Sequence, residues 1–400
     1  MKENRENRNP SQKDIYIMRR QKKRKRILKR SIFCVLLVTA VLVLYQRRDA
    51  WLPKLETIGV RHQSRYQSDL ATADGNFPLT VDGAADYQIG AVGDDLALLT
   101  DSYFYLYETG GSQVAARQHT YGGAMMQTAG DCGLIYELSG TRFRLETVRG
   151  TRYEKSTADH ILFGRLAEDG TVALITASDT CACKLLVFNP KGQQIYQRDC
   201  IEQIAELSFL PGAKGCIAAS IQADGGAIQS VIHSYSFVQK DELWKSQPLD
   251  MLAVSVYNTE GEGIFVLGDT EACYLSSGGS VLSTYVYPDR LVSGICDKSG
   301  AAALLLSNTE KRTQTAVILN GSAKDAVVKP YDKEVKAVGL LPENKHVLVM
   351  MRNQLLSLSY DGSVVQETEI PEGCEDFLRI GNYFFFSGFD HIDRMTFRSQ

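Results

Sequence analysis

One short apolar motif recurs eight times along this chain, and the recurrence limits the fold more than any other feature. The copies are LALLT (96–100), GLIYEL (133–138), VALIT (172–176), CIAAS (216–220), GIFVLG (263–268), AAALLLS (301–307), HVLVMM (346–351) and YFFFSG (383–388), at a mean spacing of about 41 residues. Each run is short and is bounded by Gly, Asp or Asn turns, which reads as a strand. Strands buried on both faces appear as continuous apolar runs rather than as alternating ones.

The clearest full copy is ILFGRLAEDGTVALITASDTCACKLLVFNPKGQQIYQRD (161–199), with turns at Asp169-Gly170 and at Asn189-Pro190-Lys191-Gly192. Its third strand and turn recur as YFYLYETGGS (103–112), ACYLSSGGS (272–280), TAVILNGSA (315–323) and LLSLSYDGS (355–363). Fourth strands follow, as in SVLSTYVY (280–287) and SVVQETEI (363–370). A four-stranded unit of about 40 residues, repeated many times, predicts a β-propeller blade. One such meander exposes an apolar face on each side, and only neighbours cover both. The expected fold is therefore all-β, with eight blades, or seven if one copy is misread. A β-solenoid or two sandwiches are the competing architectures. No sustained period of 3.6 with caps occurs after the N-terminal region, so helices should be few. The last copy (377–397) ends after about three strands. LETIGV (55–60) and FPLTV (77–81) are the N-terminal strands that can complete it and remove an open edge. Residues 46–84 thus read as a stalk plus closing strands, and 85–400 as the propeller.

Charge divides the chain sharply. The formal charge of −3 over 400 residues conceals 13 Lys/Arg and 3 Asp/Glu within residues 1–30, and 31 basic against 44 acidic groups in residues 46–400. Between them lies SIFCVLLVTAVLVLY (31–45), the longest uncharged apolar run. As a helix it covers about 22 Å, short of a hydrocarbon layer of about 30 Å. Lys29, Arg30, Arg47 and Arg48 can snorkel to make up the difference, and Tyr45 and Trp51 lie where interfacial aromatics belong. The excess of positive charge before the run places residues 1–30 in the cytoplasm as a basic tail, and the propeller outside the cell. A cleaved signal peptide and a buried core helix are the alternatives to an uncleaved transmembrane helix over 31–45. The run thus makes the lipid bilayer the first expected partner. The basic flank reads as a topology signal that also attracts anionic lipid, ahead of a nucleic-acid site.

The third-strand endings LLVFNPKG, LSLSYDG and CYLSSGG resemble WD40-like and quinoprotein-like propeller blades. The Trp-Asp and Gly-His pairs of WD40 repeats are absent. So are the Trp-docking signatures of quinoprotein dehydrogenases, since Trp51 and Trp244 are the two tryptophans. The whole plan of basic start, one membrane helix and diverged propeller is similar to a family of membrane-anchored propeller proteins of clostridia and related Firmicutes, described as a domain of unknown function. That resemblance implies the architecture and a Gram-positive source, and no activity.

Residues capable of chemistry are present without a recognisable pattern. The six histidines (His62, His119, His160, His233, His346, His391) make no His-Glu-x-x-His or His-x-His arrangement. No Gly-x-Ser-x-Gly elbow and no phosphate loop occurs. Cys132, Cys216, Cys273 and Cys296 fall in or beside strands, where cysteine serves as a small apolar residue. Cys181-Ala182-Cys183 sits in a turn and is open to three readings: free thiols, a disulfide with Cys200 across the blade, or half of a metal site without its second half. Tyr103, Phe104, Tyr105 and Tyr107, and Tyr383, Phe384, Phe385 and Phe386, read chiefly as packing between blades. Each candidate has a structural explanation, so no catalytic, cofactor or metal residue is assigned.

Two functional classes remain. The first is a binding, scaffold or sensor module for envelope proteins, peptides or glycans. The second is an extracytoplasmic hydrolase, lyase or oxidoreductase. The anchor, the repeat and the missing catalytic pattern favour the first. The acidic propeller favours basic partners and disfavours nucleic acid.

Overall fold

The computed structural model describes residues 76–81, 87–260 and 263–396. The basic tail, the run 31–45, the stalk and LETIGV lie outside those residues. Among the described residues, no helix is long and apolar enough to cross a membrane.

The described residues form eight four-stranded antiparallel sheets. Seven are successive meanders, spanning 88–118 (blade 1), 124–156 (blade 2), 161–200 (blade 3), 203–245 (blade 4), 253–286 (blade 5), 290–331 (blade 6) and 335–369 (blade 7). Blade 8 combines 374–396 with the strand Leu79–Thr80. The first strand of each blade is innermost, and neighbouring inner strands contact one another at seven of the eight steps around the ring. The helical segments among the described residues are two single 3-10 turns, Pro211–Ala213 and Pro342–Asn344. All eight apolar runs form the second strand of a blade, so the fold is an eight-bladed β-propeller.

The core is divided among the blade interfaces. Leu134, Tyr136, Phe143 and Leu145 of blade 2 pack on Val172 and Leu174 of blade 3. Ala173 and Ile175, the alternate residues of that same strand, pack on Ile204, Leu207 and Ala218 of blade 4. Successive side chains point to opposite faces of a strand, so a blade with two neighbours needs an apolar residue at every position. Each buried aliphatic side chain contributes about 1.5–3 kcal/mol.

FPLTV supplies the strand that closes the ring. Leu79 pairs with Ile392 and Thr80 with His391. The Val81 amide donates to the Asp390 carbonyl at 2.8 Å, and the Asn76 amide donates to Gly110 of blade 1 at 2.9 Å. Phe77 packs on Phe385 with ring centroids 5.5 Å apart.

Where inner strands crowd together, glycine is required for space. A Cβ on Gly339 of blade 7 would lie 2.7 Å from Cζ of Phe377 on blade 8. The interface of blades 1 and 2 adds buried ion pairs to its apolar core. Glu146 of blade 2 is fully buried and meets Arg117 of blade 1 at 2.7 Å and Arg144 at 2.8 Å. Thr151 also donates to it at 2.8 Å, and Arg117 donates to the carbonyls of Thr147 and Val148.

Two substitutions test this packing. Glu146→Ala leaves two guanidinium groups without their buried partner and should cost about 3–5 kcal/mol. Gly339→Ala should cost about 1–3 kcal/mol through overpacking. Urea denaturation followed by circular dichroism measures both. A Glu146→Ala midpoint equal to wild type would show that the ionic cluster contributes nothing net.

Candidate functional site

The inner strands begin at the upper end of the ring, and six of the eight carry a register shift at the same place. The shifts fall between Ile161 and Phe163, Ile204 and Glu206, Ala253 and Ser255, Leu291 and Ser293, Val335 and Ala337, and Cys374 and Asp376. Each leaves one residue unpaired at a bulge, the device that re-aims a side chain. The bulged residues are Leu162, Ala205, Val254, Val292, Lys336 and Glu375. They sit on strands whose other edge has no partner strand, so they line the mouth of the central channel.

That mouth has two chemically distinct arcs. Blades 3 to 6 contribute Leu162, Ala205, Val254 and Val292, of which Val254 is 47% and Val292 51% exposed. Blades 7 and 8 contribute an ion pair, with Lys336 Nζ 3.0 Å from Glu375 and 3.2 Å from Glu334. Blades 1 and 2 lack the bulge. There Gln88 spans the two inner strands, donating to the Ala124 carbonyl at 3.0 Å and accepting from the Met126 amide at 2.9 Å.

A hairpin of blade 4 stands above the others. Its strands, Gly215–Asp224 and Ala227–Ser236, each run ten residues and turn at Gly225-Gly226, both at positive φ. The following connection braces it: Ser230 and Leu249 exchange backbone hydrogen bonds at 3.0 and 2.8 Å. Ile228 near the tip is 59% exposed. At the opposite end of the channel, Glu168 of blade 3 and Lys298 of blade 6 meet at 2.5 Å, joining blades three apart in the ring. A separate groove of about 670 Å³ runs along blades 2 and 3, lined by Lys155, Lys184, Lys191 and Gln194 over Leu186 and Phe188. Lys184 is already paired with Asp159 at 2.8 Å.

The structure places the residues singled out in the sequence. Cys183 starts the third strand of blade 3 and lies opposite Cys200 on the fourth. Both are buried, and all eight described cysteines are free thiols. The hydrogen bond between the two thiols lowers Cys183 from its ordinary range and raises Cys200. Cys181 turns back to Ser178. The aromatic strands serve packing: Phe104, Phe384, Phe385 and Phe386 are fully buried, and Tyr105, Tyr107 and Tyr383 pack in the interface of blades 8 and 1.

Two polar constellations escaped the sequence reading. In blade 4, Ser220 Oγ lies 2.9 Å from His233 Nε2, and His233 Nδ1 lies 2.8 Å from Glu242 Oε2. The order nucleophile, base, carboxylate matches that of a hydrolytic triad. Ser220 is 2% and His233 4% exposed, however, which leaves a substrate no approach to the hydroxyl. In blade 8, Cys374, His391 and Asp393 each offer a ligand atom, all within 4.8 Å of one another. Burial pushes the Cys374 thiol up to about 12, and burial also raises Asp393. Neither group shows in sequence because strand register, not spacing, assembles it.

Comparison with known proteins identifies the fold. BamB from Moraxella catarrhalis superposes with a TM-score of 0.56 and 13% identity, over 81% of this chain and 99% of that one. Dihydro-heme d1 dehydrogenase NirN, in complex with DHE, gives 0.54 and 9%, over 75% and 72%. A structure described as the eukaryotic initiation factor gives 0.52 and 12%, over 82% and 91%. At these identities the likeness is one of fold. No curated protein matches the sequence. A family model does match, over residues 80–397, and the chain belongs to that family, a family of unknown function, DUF5711.

Proposed function

We propose that this propeller is a docking module for a protein or peptide of the cell envelope. The observation that carries the reading is the half-apolar channel mouth. An exposed apolar patch with a polar rim marks an interaction site. Val254 and Val292 form the patch, the blade 4 hairpin walls one side, and the Lys336–Glu375 pair supplies the rim. The acidic balance of residues 46–400 favours a partner that presents basic groups around an apolar side chain. A glycan is the less favoured ligand, because the patch is aliphatic rather than aromatic. Residues 31–45 hold the module to the membrane, with residues 1–30 in the cytoplasm and the propeller outside, as in a Gram-positive envelope.

An enzyme is the second reading, and the Ser220–His233–Glu242 chain is the observation in its favour. Burial of the hydroxyl weighs against it. A fluorophosphonate probe applied to the full-length chain should leave Ser220 unlabelled. Labelling that disappears in Ser220→Ala would establish the enzyme reading instead.

Photocrosslinkers placed at Val254 and Val292 in living cells should capture a discrete partner, and Val254→Asp with Val292→Asp should weaken capture at least about tenfold, equivalent to 1.4 kcal/mol. Equal capture from crosslinkers on the outer strand of blade 2 would remove the mouth as the docking face. Protease added to intact cells should digest the propeller and spare residues 1–30. Full protection of the propeller would refute the topology.

A further inference from the structure

Blade 8 assembles three metal-ligating side chains by register. Cys374 begins the inner strand opposite Gly388 of the second strand. His391 begins the third strand, and Asp393, two residues on, points to the same face. Gly388 lies between Cys374 and the imidazole and is bare. A Cβ there would fall 2.5 Å from His391 Cε1 and 2.8 Å from Nε2, so the ring leans across the space that a side chain would fill. The three ligand atoms then lie within 4.8 Å of one another.

The orientation of His391 is fixed from behind. Its Nδ1 lies 2.8 Å from Asp390 Oδ1, the arrangement by which a carboxylate holds a metal-ligating histidine. With the proton on Nδ1, the lone pair of Nε2 faces Asp393 Oδ2 at 3.4 Å. Two acceptors confront each other, and a cation between them satisfies both. The backbone is held as well: the Tyr87 hydroxyl lies 2.6 and 2.9 Å from the carbonyls of Gly388 and His391.

We propose that Cys374, His391 and Asp393 bind a divalent transition metal, zinc by its ligand chemistry, which clasps the blade that closes the ring. Thiolate, imidazole and carboxylate together suit zinc and do not suit calcium or magnesium. Three protein ligands leave a fourth tetrahedral position for water, and the 28% and 20% side-chain exposure of His391 and Asp393 opens the site to solvent. Binding displaces the Cys374 proton to solvent as the sulfur–metal bond forms. The metal ties the inner strand to the third, and the third pairs with Leu79–Thr80 at the closure. This inference is independent of the docking reading.

The test uses the full-length chain, stripped with a chelator and titrated with zinc chloride against a chromophoric competitor, and separately with cobalt chloride. One equivalent of zinc should bind and raise the melting temperature. Cobalt should give a near-ultraviolet thiolate charge-transfer band. Cys374→Ala should abolish the band, Cys296→Ala should retain it, and Asp390→Asn should weaken binding about 10–100-fold. Gly388→Ala should weaken binding by displacing the imidazole. Asp393→Asn, at a partly exposed position, supplies the test if Cys374→Ala fails to fold. Absence of zinc uptake by the folded chain would overturn the proposal and leave His391 as a structural link between Asp390 and Asp393. Uptake unchanged in both Cys374→Ala and Asp393→Asn would overturn it equally.

Discussion

Everything in this structure depends on the requirement that each four-stranded sheet bury both of its faces. Leu304 and Leu305 are adjacent in blade 6, and both are fully buried. Leu304 faces Phe265 and Leu267 of blade 5, and Leu305 faces Val347 and Val349 of blade 7. A terminal blade in an open array would leave one such face in water. Each exposed aliphatic residue would then lose about 1.5–3 kcal/mol of burial. A ring has no terminal blade, so closure follows from the composition of the strands.

Closure concentrates the burden on one place. The closing strand makes two residue pairs, fewer than any other strand pairing around the ring. Extra ties accumulate there. Arg394 donates to the Thr109 carbonyl of blade 1 and lies over the rings of Phe77 and Tyr383. Tyr87 grips the turn of blade 8 from the other side. Polar and aromatic side chains appear at this seam because a two-residue ladder offers little backbone hydrogen bonding to hold it.

The strands were legible in the sequence for the reason that makes the fold stable. AAALLLS and HVLVMM are continuous apolar runs because both faces are buried, and their even spacing supplied the blade count. FPLTV showed itself by an apolar stretch beside an incomplete last copy. The functional surface was not legible. Leu162, Ala205, Val254, Val292, Lys336 and Glu375 share a bulge but no chemistry, so no motif marks them. The hairpin around Gly225-Gly226 loses the continuous apolar run beyond Ile221, so its length does not show in the sequence, although its strands pair through Asp224 and Ala227. Ser220, His233 and Glu242 come from three neighbouring strands, Cys374 meets His391 and Asp393 across an intervening strand, and register is a property of the folded sheet.

The two ends of the channel are not equivalent, and the difference favours recognition at the upper one. The Glu168–Lys298 pair at the lower end joins side chains that are 71% and 70% exposed. An exposed pair of this kind contributes about 0–1 kcal/mol, so it narrows the opening without holding the ring. The upper end has fixed relief. Its apolar residues sit on paired inner strands, its hairpin is braced by Ser230 and Leu249, and its rim charges are matched to each other. Elements already ordered before binding lose little entropy on binding, which is how a modest apolar patch gains affinity. The apolar arc covers consecutive blades and the ionic arc the next two, so the mouth has a direction. In the proposed docking, a partner's apolar side chain on Val254 and Val292 would set which of its groups face Lys336 and Glu375.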